Sequence, residues 1–209
     1  MRWLLVWITL ASGAVADGEK AGKFDYYVLS LSWSPNWCAL QGDARKSDQC
    51  DARHDHGWIL HGLWPQYHRG FPSLCRSTER PPTRGMTNDM ADIMGTSGLA
   101  WYQWKKHGTC SGLSASAYYA LSRQAYERIT RPPVFRGLEQ AVRLPASVVE
   151  DAFLASNPGL ERDMITITCK NNHIQEARLC LSKSLDPVPC GQDVVRDCTS
   201  KNALFTPVR

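Results

Sequence analysis

The sequence lacks the features that would take it out of the class of single folded domains. It has no internal repeat, no low-complexity tract and no linker. Its 43% hydrophobic and 21% charged residues exclude a disordered tail, a collagen-like fibre and a coiled coil. Its 209 residues suffice for one sizeable core and are too few for two comfortable domains. Asn-x-Ser/Thr is absent, so nothing marks an N-glycosylation site. Net charge is also small: +4 suits an anionic substrate but is weak for a coat on long duplex DNA.

What it does have is eight cysteines and eight tryptophans. An even cysteine count is what a disulfide framework produces, and metal sites in a reducing compartment would produce it equally well. The N-terminus separates the two. Met1-Arg2 is a short positive region, Trp3 to Leu10 is apolar but too short to span a bilayer, and Ala14-Val15-Ala16 is a small-x-small cleavage signature before Asp17. Residues 1–16 thus read as a secretory signal peptide, with an uncleaved anchor as the alternative. The expected chain is 17–209, secreted or periplasmic, free of the membrane after cleavage and monomeric. It has 23 basic and 20 acidic residues, a charge of +3, and all eight cysteines.

The apolar periodicity predicts a helix over 114–130, with Tyr118, Leu121, Ala125 and Ile129 on one stripe. A second is expected over 147–158, opened by a Ser147/Glu150 capping box and stopped by Asn157-Pro158-Gly159. A shorter helix starting near Thr87 or Asn88 would carry Met90, Ile93 and Met94. The run Phe24 to Trp33 alternates like a buried strand, and Trp58 to His61 is a short apolar strand. Met164 to Cys169 and Ile174 to Leu181 read as a hairpin around Asn171-Asn172. Without a regular βαβ rhythm, these elements predict one α+β domain with a largely antiparallel sheet flanked by helices.

Reactive side chains concentrate in two segments. In the first, Ile59 to Gln66, His61 ends an apolar strand and is followed by a Gly62 turn and an exposed Trp64-Pro65. In the second, Trp101 to Cys110, a helix would bring Gln103, Lys106 and His107 to one face, with a turn at Gly108. Two imidazoles can act as base and acid in one in-line displacement while a lysine neutralises a phosphoryl oxygen. Phosphodiester transfer in RNA needs that set and no metal, because its nucleophile, the 2′-OH, belongs to the substrate. On these residues alone, two satisfied core histidines and a helix-terminal lysine remain the competing explanation.

HGLWPQ at 61–66 and WKKHGTC at 104–110 resemble the two signature segments of the ribonuclease T2 family, and YYVLSLSWSPNWC at 26–38 resembles that family's first strand. The resemblance implies four disulfides: Cys38 with Cys50, Cys75 with Cys110, Cys169 with Cys198, and Cys180 with Cys190. It implies His107 as general base at the 2′-OH, His61 as general acid at the leaving 5′-oxygen, and Lys106 on the phosphorane charge. Trp64 would stack against a base, a contact of ~1 to 3 kcal/mol. The implied enzyme is a metal-independent, cofactor-free endonuclease on single-stranded RNA, inactive on DNA, yielding 2′,3′-cyclic phosphates and then 3′-phosphates.

The second segment departs from the family's usual His-Glu-Trp, reading Tyr102-Gln103-Trp104. Tyr102 stands where a histidine helps to hold phosphate, and Gln103 where a glutamate supports the transition state. Both swaps keep polarity and shape, so a working enzyme is expected, with a weak or inactive RNA-binding or signalling protein as the alternative. Losing a carboxylate beside His107 lowers that imidazole's pKa, from which an optimum nearer neutral pH is expected. His54-Asp55-His56, with His61 beyond, is a third reading, a metal-binding module. His68 and His173 read as surface or packing residues, and Trp33 and Trp58 as core.

Overall fold

The computed structural model describes residues 19–209; the signal segment read at 1–16 lies outside the described residues. The domain is α+β, as expected. Its strands are β1 (Tyr26–Trp33), β2 (Trp58–Gln66), β3 (Val142–Leu144), β4 (Ile165–Lys170), β5 (His173–Leu181) and β6 (Ala203–Phe205). They form one sheet in the order β2-β1-β5-β6-β3, with β4 also on β5. Every pairing is antiparallel except the short β5–β6 contact. The helices are α1 (Ser34–Trp37), α2 (Arg84–Asn88), α3 (Ala91–Met94), α4 (Ser97–Lys106), α5 (Ala115–Arg128) and α6 (Ala146–Ser156).

Strand alternation sorts the sheet into two faces. Leu29, Leu31 and Trp33 of β1, Leu60 and Leu63 of β2, and Ala177, Leu179 and Leu181 of β5 share one core with buried residues of α3 to α6. Trp33, Trp58, Phe135 and Phe205 form an aromatic cluster within it, Trp33 stacking on Phe205 at 4.4 Å. The opposite face carries only a small cluster of Tyr26, Val28, Cys180 and Val194 and is left for the cleft.

Helix α5 sets β2 and α4 in place. Ser114 caps it by accepting from the Ala117 N–H, and of its apolar stripe Tyr118, Ala125 and Ile129 are buried and Leu121 is half-buried. Its tyrosines reach the backbone of both elements: Tyr118 donates to the Leu63 carbonyl at 2.8 Å, Tyr126 to Trp58 at 2.9 Å and Tyr119 to Ala100 at 2.9 Å. Tyr118→Phe removes one buried hydroxyl and is expected to cost about 1 kcal/mol, the net worth of an ordinary hydrogen bond. Urea unfolding measures it, and an unchanged midpoint would mean that the Leu63 carbonyl needs no such partner.

Three expectations are corrected. The segment 61–66 contains no glycine turn: β2 continues through it to Gln66, and Trp64 is half-buried. Helix α6 starts at Ala146, behind the extended Pro145, so Ser147 lies inside its first turn and no side-chain cap forms; Glu150 accepts from Arg162 instead. The single helix expected from Thr87 or Asn88 is two short ones, α2 capped by Thr83 and α3 ended by Gly95 at φ 82°. Met90, Ile93 and Met94 are buried all the same. The β4–β5 hairpin turns on Asn171 and Asn172, both at positive φ, as a tight two-residue turn demands. All four cysteine pairs are present as the resemblance implied them.

Candidate active site

His61 owes its position to a β-bulge. The β1–β2 ladder matches Leu31 with Leu60 and Ser30 with Gly62, so His61 is the unmatched residue. Leu60 and Leu63 stay in the core while His61 turns to the cleft, where it lines a cavity of about 570 Å³. Gly62 is required for room: a Cβ there would collide with Trp64 Nε1 and Gln103 Oε1.

His107 arrives from the other side as the C-cap of α4, its backbone N–H donating to the Gln103 carbonyl at 2.9 Å. Thr96 starts the helix by accepting from Leu99 N–H. The next residue, Gly108, packs so tightly that a Cβ would lie 3.0 Å from the Tyr118 ring. As the helical spacing predicts, Gln103, Lys106 and His107 face one cavity, the one that holds His61. Lys106 makes no ion pair among the described residues and lies 5.9 Å from the Tyr102 ring.

Trp64 stands between the two histidines. Its ring meets His61 edge-on at 5.2 Å and stacks on His107 at 5.2 Å, and its Nε1–H donates to Gln103 Oε1 at 2.8 Å. Gln103, 1% exposed, therefore acts as acceptor for the tryptophan that spaces the histidines. A second cavity of about 510 Å³ shares His61 and Tyr102 with the first, so the two meet at the acid candidate. Tyr102 is 51% exposed and open to both.

The two rings have opposite electrostatic surroundings. His107 is 5% exposed, and its Nδ1 has no hydrogen-bond partner among the described residues. Burial, with smaller contributions from the charges of Lys106 and His61, lowers its pKa from 6.5 to about 3. His61 instead meets a carboxylate, its Nδ1 lying 2.5 Å from Glu176 Oε1. The other Glu176 oxygen accepts from Arg178 Nε at 2.9 Å and Nη2 at 2.6 Å. Burial pushes the Glu176 pKa up, but the His61 hydrogen bond and the charges of His61 and Arg178 outweigh it and hold the carboxyl at about 2.

His107 is thus held low by burial first and by Lys106 and His61 after it, and position 103 is not among the causes. The consequence for the profile has the opposite sign from the neutral optimum expected from sequence. A base that sheds its proton near pH 3 stays competent far into acid. The sign for stability also follows. The unfolded chain protonates this histidine near 6.5, so folding stability is full above that value and falls as pH drops towards 3.

The other sequence candidates lie elsewhere. His54 and His56 stack on each other at 5.2 Å, His54 lies 3.2 Å from Asp48, and neither lines either cavity. Among the described residues, the one group spaced to hold a metal is Cys38, Asp43 and Cys50, whose cysteines form a disulfide. Sequence reasoning missed Glu176, Arg178 and Phe71. The first two are opposite charges two apart on one strand, hence on one face, and that was the available signal. Phe71, 50% exposed and 6.2 Å from the His107 ring, is an aromatic at the cleft mouth.

Together these features define an α+β, four-disulfide protein with paired histidines across an open two-chambered cleft. The chain belongs to the Ribonuclease T2 family, whose model matches residues 24–190. A ribonuclease of Aeromonas hydrophila is 41% identical over 121 residues, 58% of this chain and 54% of that protein, so the chain spans about half of that relative's length. Among solved structures, an RNase-related protein from Calystegia sepium superposes with a TM-score of 0.66 at 19% identity, over 89% of this chain and 98% of that one. RNase NT in complex with 5′-AMP gives 0.59 at 18%, over 90% and 100%. At these identities the structural likeness concerns the fold.

Proposed function

We propose that this protein is an endoribonuclease that cleaves single-stranded RNA by attack of the ribose 2′-OH on the adjacent phosphorus. The observation that carries this reading is the pair of histidines in opposite environments on either side of Trp64: His107 buried and neutral, His61 held on a carboxylate. A site that gives two such groups different surroundings assigns base and acid. His107 takes the 2′-OH proton, the 2′-oxygen displaces the 5′-oxygen in line, and His61 protonates that oxygen as it leaves. Lys106 faces the charge that gathers on the phosphoryl oxygens. The products are a 2′,3′-cyclic phosphate and a free 5′-hydroxyl, and water then opens the ring to a 3′-phosphate.

Cavities on both sides of His61 support an endonucleolytic cut, since each has room for one nucleotide. Phe71 offers an exposed face for base stacking, whereas the Trp64 ring is already occupied by His107 and by Arg178 at 5.4 Å. Because the nucleophile is the 2′-OH, DNA is not a substrate. The segment 1–16 and four disulfides support a location outside the cytoplasm. The test is incubation with homopolymer RNA in excess EDTA. Cyclic-phosphate ends are the expected product; binding without cleavage would favour an RNA-binding protein, and loss of activity to the chelator a metal-dependent one.

The pH profile follows from the geometry. For the free enzyme, kcat/KM should hold its plateau well below pH 5, with its acid limb near 3. In kcat the same limb should lie higher, because a bound phosphodiester anion favours the imidazolium. Gln103→Glu places a buried carboxylate one helical turn before His107 and should move the acid limb of kcat/KM upward. Rates from pH 3 to 8, with circular dichroism to verify folding, decide it; an acid limb near 6 in the parent protein would refute the assignment of His107 as the neutral base.

A further inference from the structure

Among the described residues, Glu176 is the only carboxylate buried as deeply as the core, at 3% exposure. Placing a charge there costs several kcal/mol unless it is paired and hydrogen-bonded. Arg178 alone would neutralise it, and Arg178 binds only one of its oxygens. The other oxygen is turned to His61 Nδ1 at 2.5 Å.

The backbone holds this arrangement firmly. Glu176 lies in the middle of the sheet, paired with Ser32 of β1 on one side and Thr168 of β4 on the other. Its neighbour Gln175 is the unmatched residue of a second bulge, as His61 is of the first. Two bulges thus bring side chains from non-adjacent strands into contact over β1, which is the local re-aiming that bulges provide.

We propose that Glu176 is the positioning residue of the general acid: it accepts the Nδ1–H of His61, fixes the ring with Nε2 towards the cleft, and balances the imidazolium until its proton is given up. This rests on the ribonuclease reading and names what makes His61 the acid. In the cleavage step the P–O5′ bond breaks with its electron pair on O5′, which takes the Nε2 proton. The neutral ring keeps its Nδ1–H on Glu176, and the 2′-OH proton resides on His107.

Other charged and titratable groups also face His61. Lys106, His107, Arg178, Arg196 and Asp193 line the first cavity with it, and Tyr102, Arg45 and Lys170 line the second. Asp193 is the other carboxylate among them and accepts from the Gly70 N–H, so among the described residues Glu176 is the carboxylate bonded to the ring.

The experiment compares the full chain with Glu176→Gln on two substrates: single-stranded homopolymer RNA, and a nucleoside 3′-(p-nitrophenyl phosphate), whose leaving group needs no proton. On RNA, kcat should fall about a hundredfold, the lower end of what a general acid contributes, with KM nearly unchanged. The alkaline limb of the profile should move down by about one unit, the usual effect of losing an adjacent opposite charge. On the aryl ester the deficit should shrink to a few-fold. Equal losses on both substrates, or an unmoved alkaline limb, would overturn the proposal while leaving the ribonuclease reading intact. A parent protein that binds RNA without cutting it removes that reading itself.

Unpairing Arg178 can cost stability, so thermal unfolding accompanies the assays and Glu176→Gln/Arg178→Met serves as a second variant without the orphaned cation. It should show the same substrate-dependent deficit. If neither variant folds, Glu176 is a structural ion-pair member only and the proposal fails.

Discussion

His107→Ala is expected to lower kcat/KM on RNA by about two to four orders of magnitude, the contribution of a positioned general base. The neighbours of His107 on α4 and β2 cannot substitute. Lys106 is a cation, Gln103 has its carbonyl oxygen committed to Trp64, and His61 is turned to Glu176. The truncation also removes the ring that stacks on Trp64, so unfolding must be followed in parallel. His107→Gln, which keeps more of the volume but no base, should be nearly as inactive. Residual activity within tenfold of the parent in both variants would show that another group takes the 2′-OH proton.

Replacing Cys75 and Cys110 together by alanine should have the largest effect on stability. The bridge closes a loop with a sequence separation of 35, for which the chain-entropy model gives ~4 kcal/mol. That is a large share of the 5 to 15 kcal/mol typical of a domain. Activity should fall as well. Cys110 follows His107 by three residues, and its N–H donates to the His107 carbonyl at 2.9 Å, so the bridge ties down the turn that presents the base. Leu74 N–H on the Lys106 carbonyl, at 2.8 Å, still joins the stretches around Cys75 and Cys110. A guanidinium titration with an unchanged midpoint would mean that this contact and the core suffice.

The helices α4 and α5 and the β4–β5 hairpin were legible because their signals are local. A stripe of Tyr118, Ala125 and Ile129, or an Asn-Asn pair between apolar runs, needs no distant partner to be read. The capping box at Ser147 failed for a local reason too: Pro145 already set the helix entry. HGLWPQ was misread because Gly62 and Pro65 usually punctuate a chain. Here the glycine makes room for Trp64 and Gln103, a contact between residues 39 positions apart.

Sequence by itself determined the domain class, the cysteine framework through its resemblance, and the choice of His61, Lys106 and His107 as the candidate reactive set. These rest on residue type and short spacing, which survive in one dimension. Only the tertiary structure decided how the two histidines differ. The depth that keeps His107 neutral comes from packing against Trp64 and the walls of the cleft. The carboxylate on His61 comes from a residue 115 positions away, brought there by sheet order and by two bulges that alternation alone does not reveal. Electrostatic environment depends on burial and on neighbours across strands, and both are set by register in the sheet.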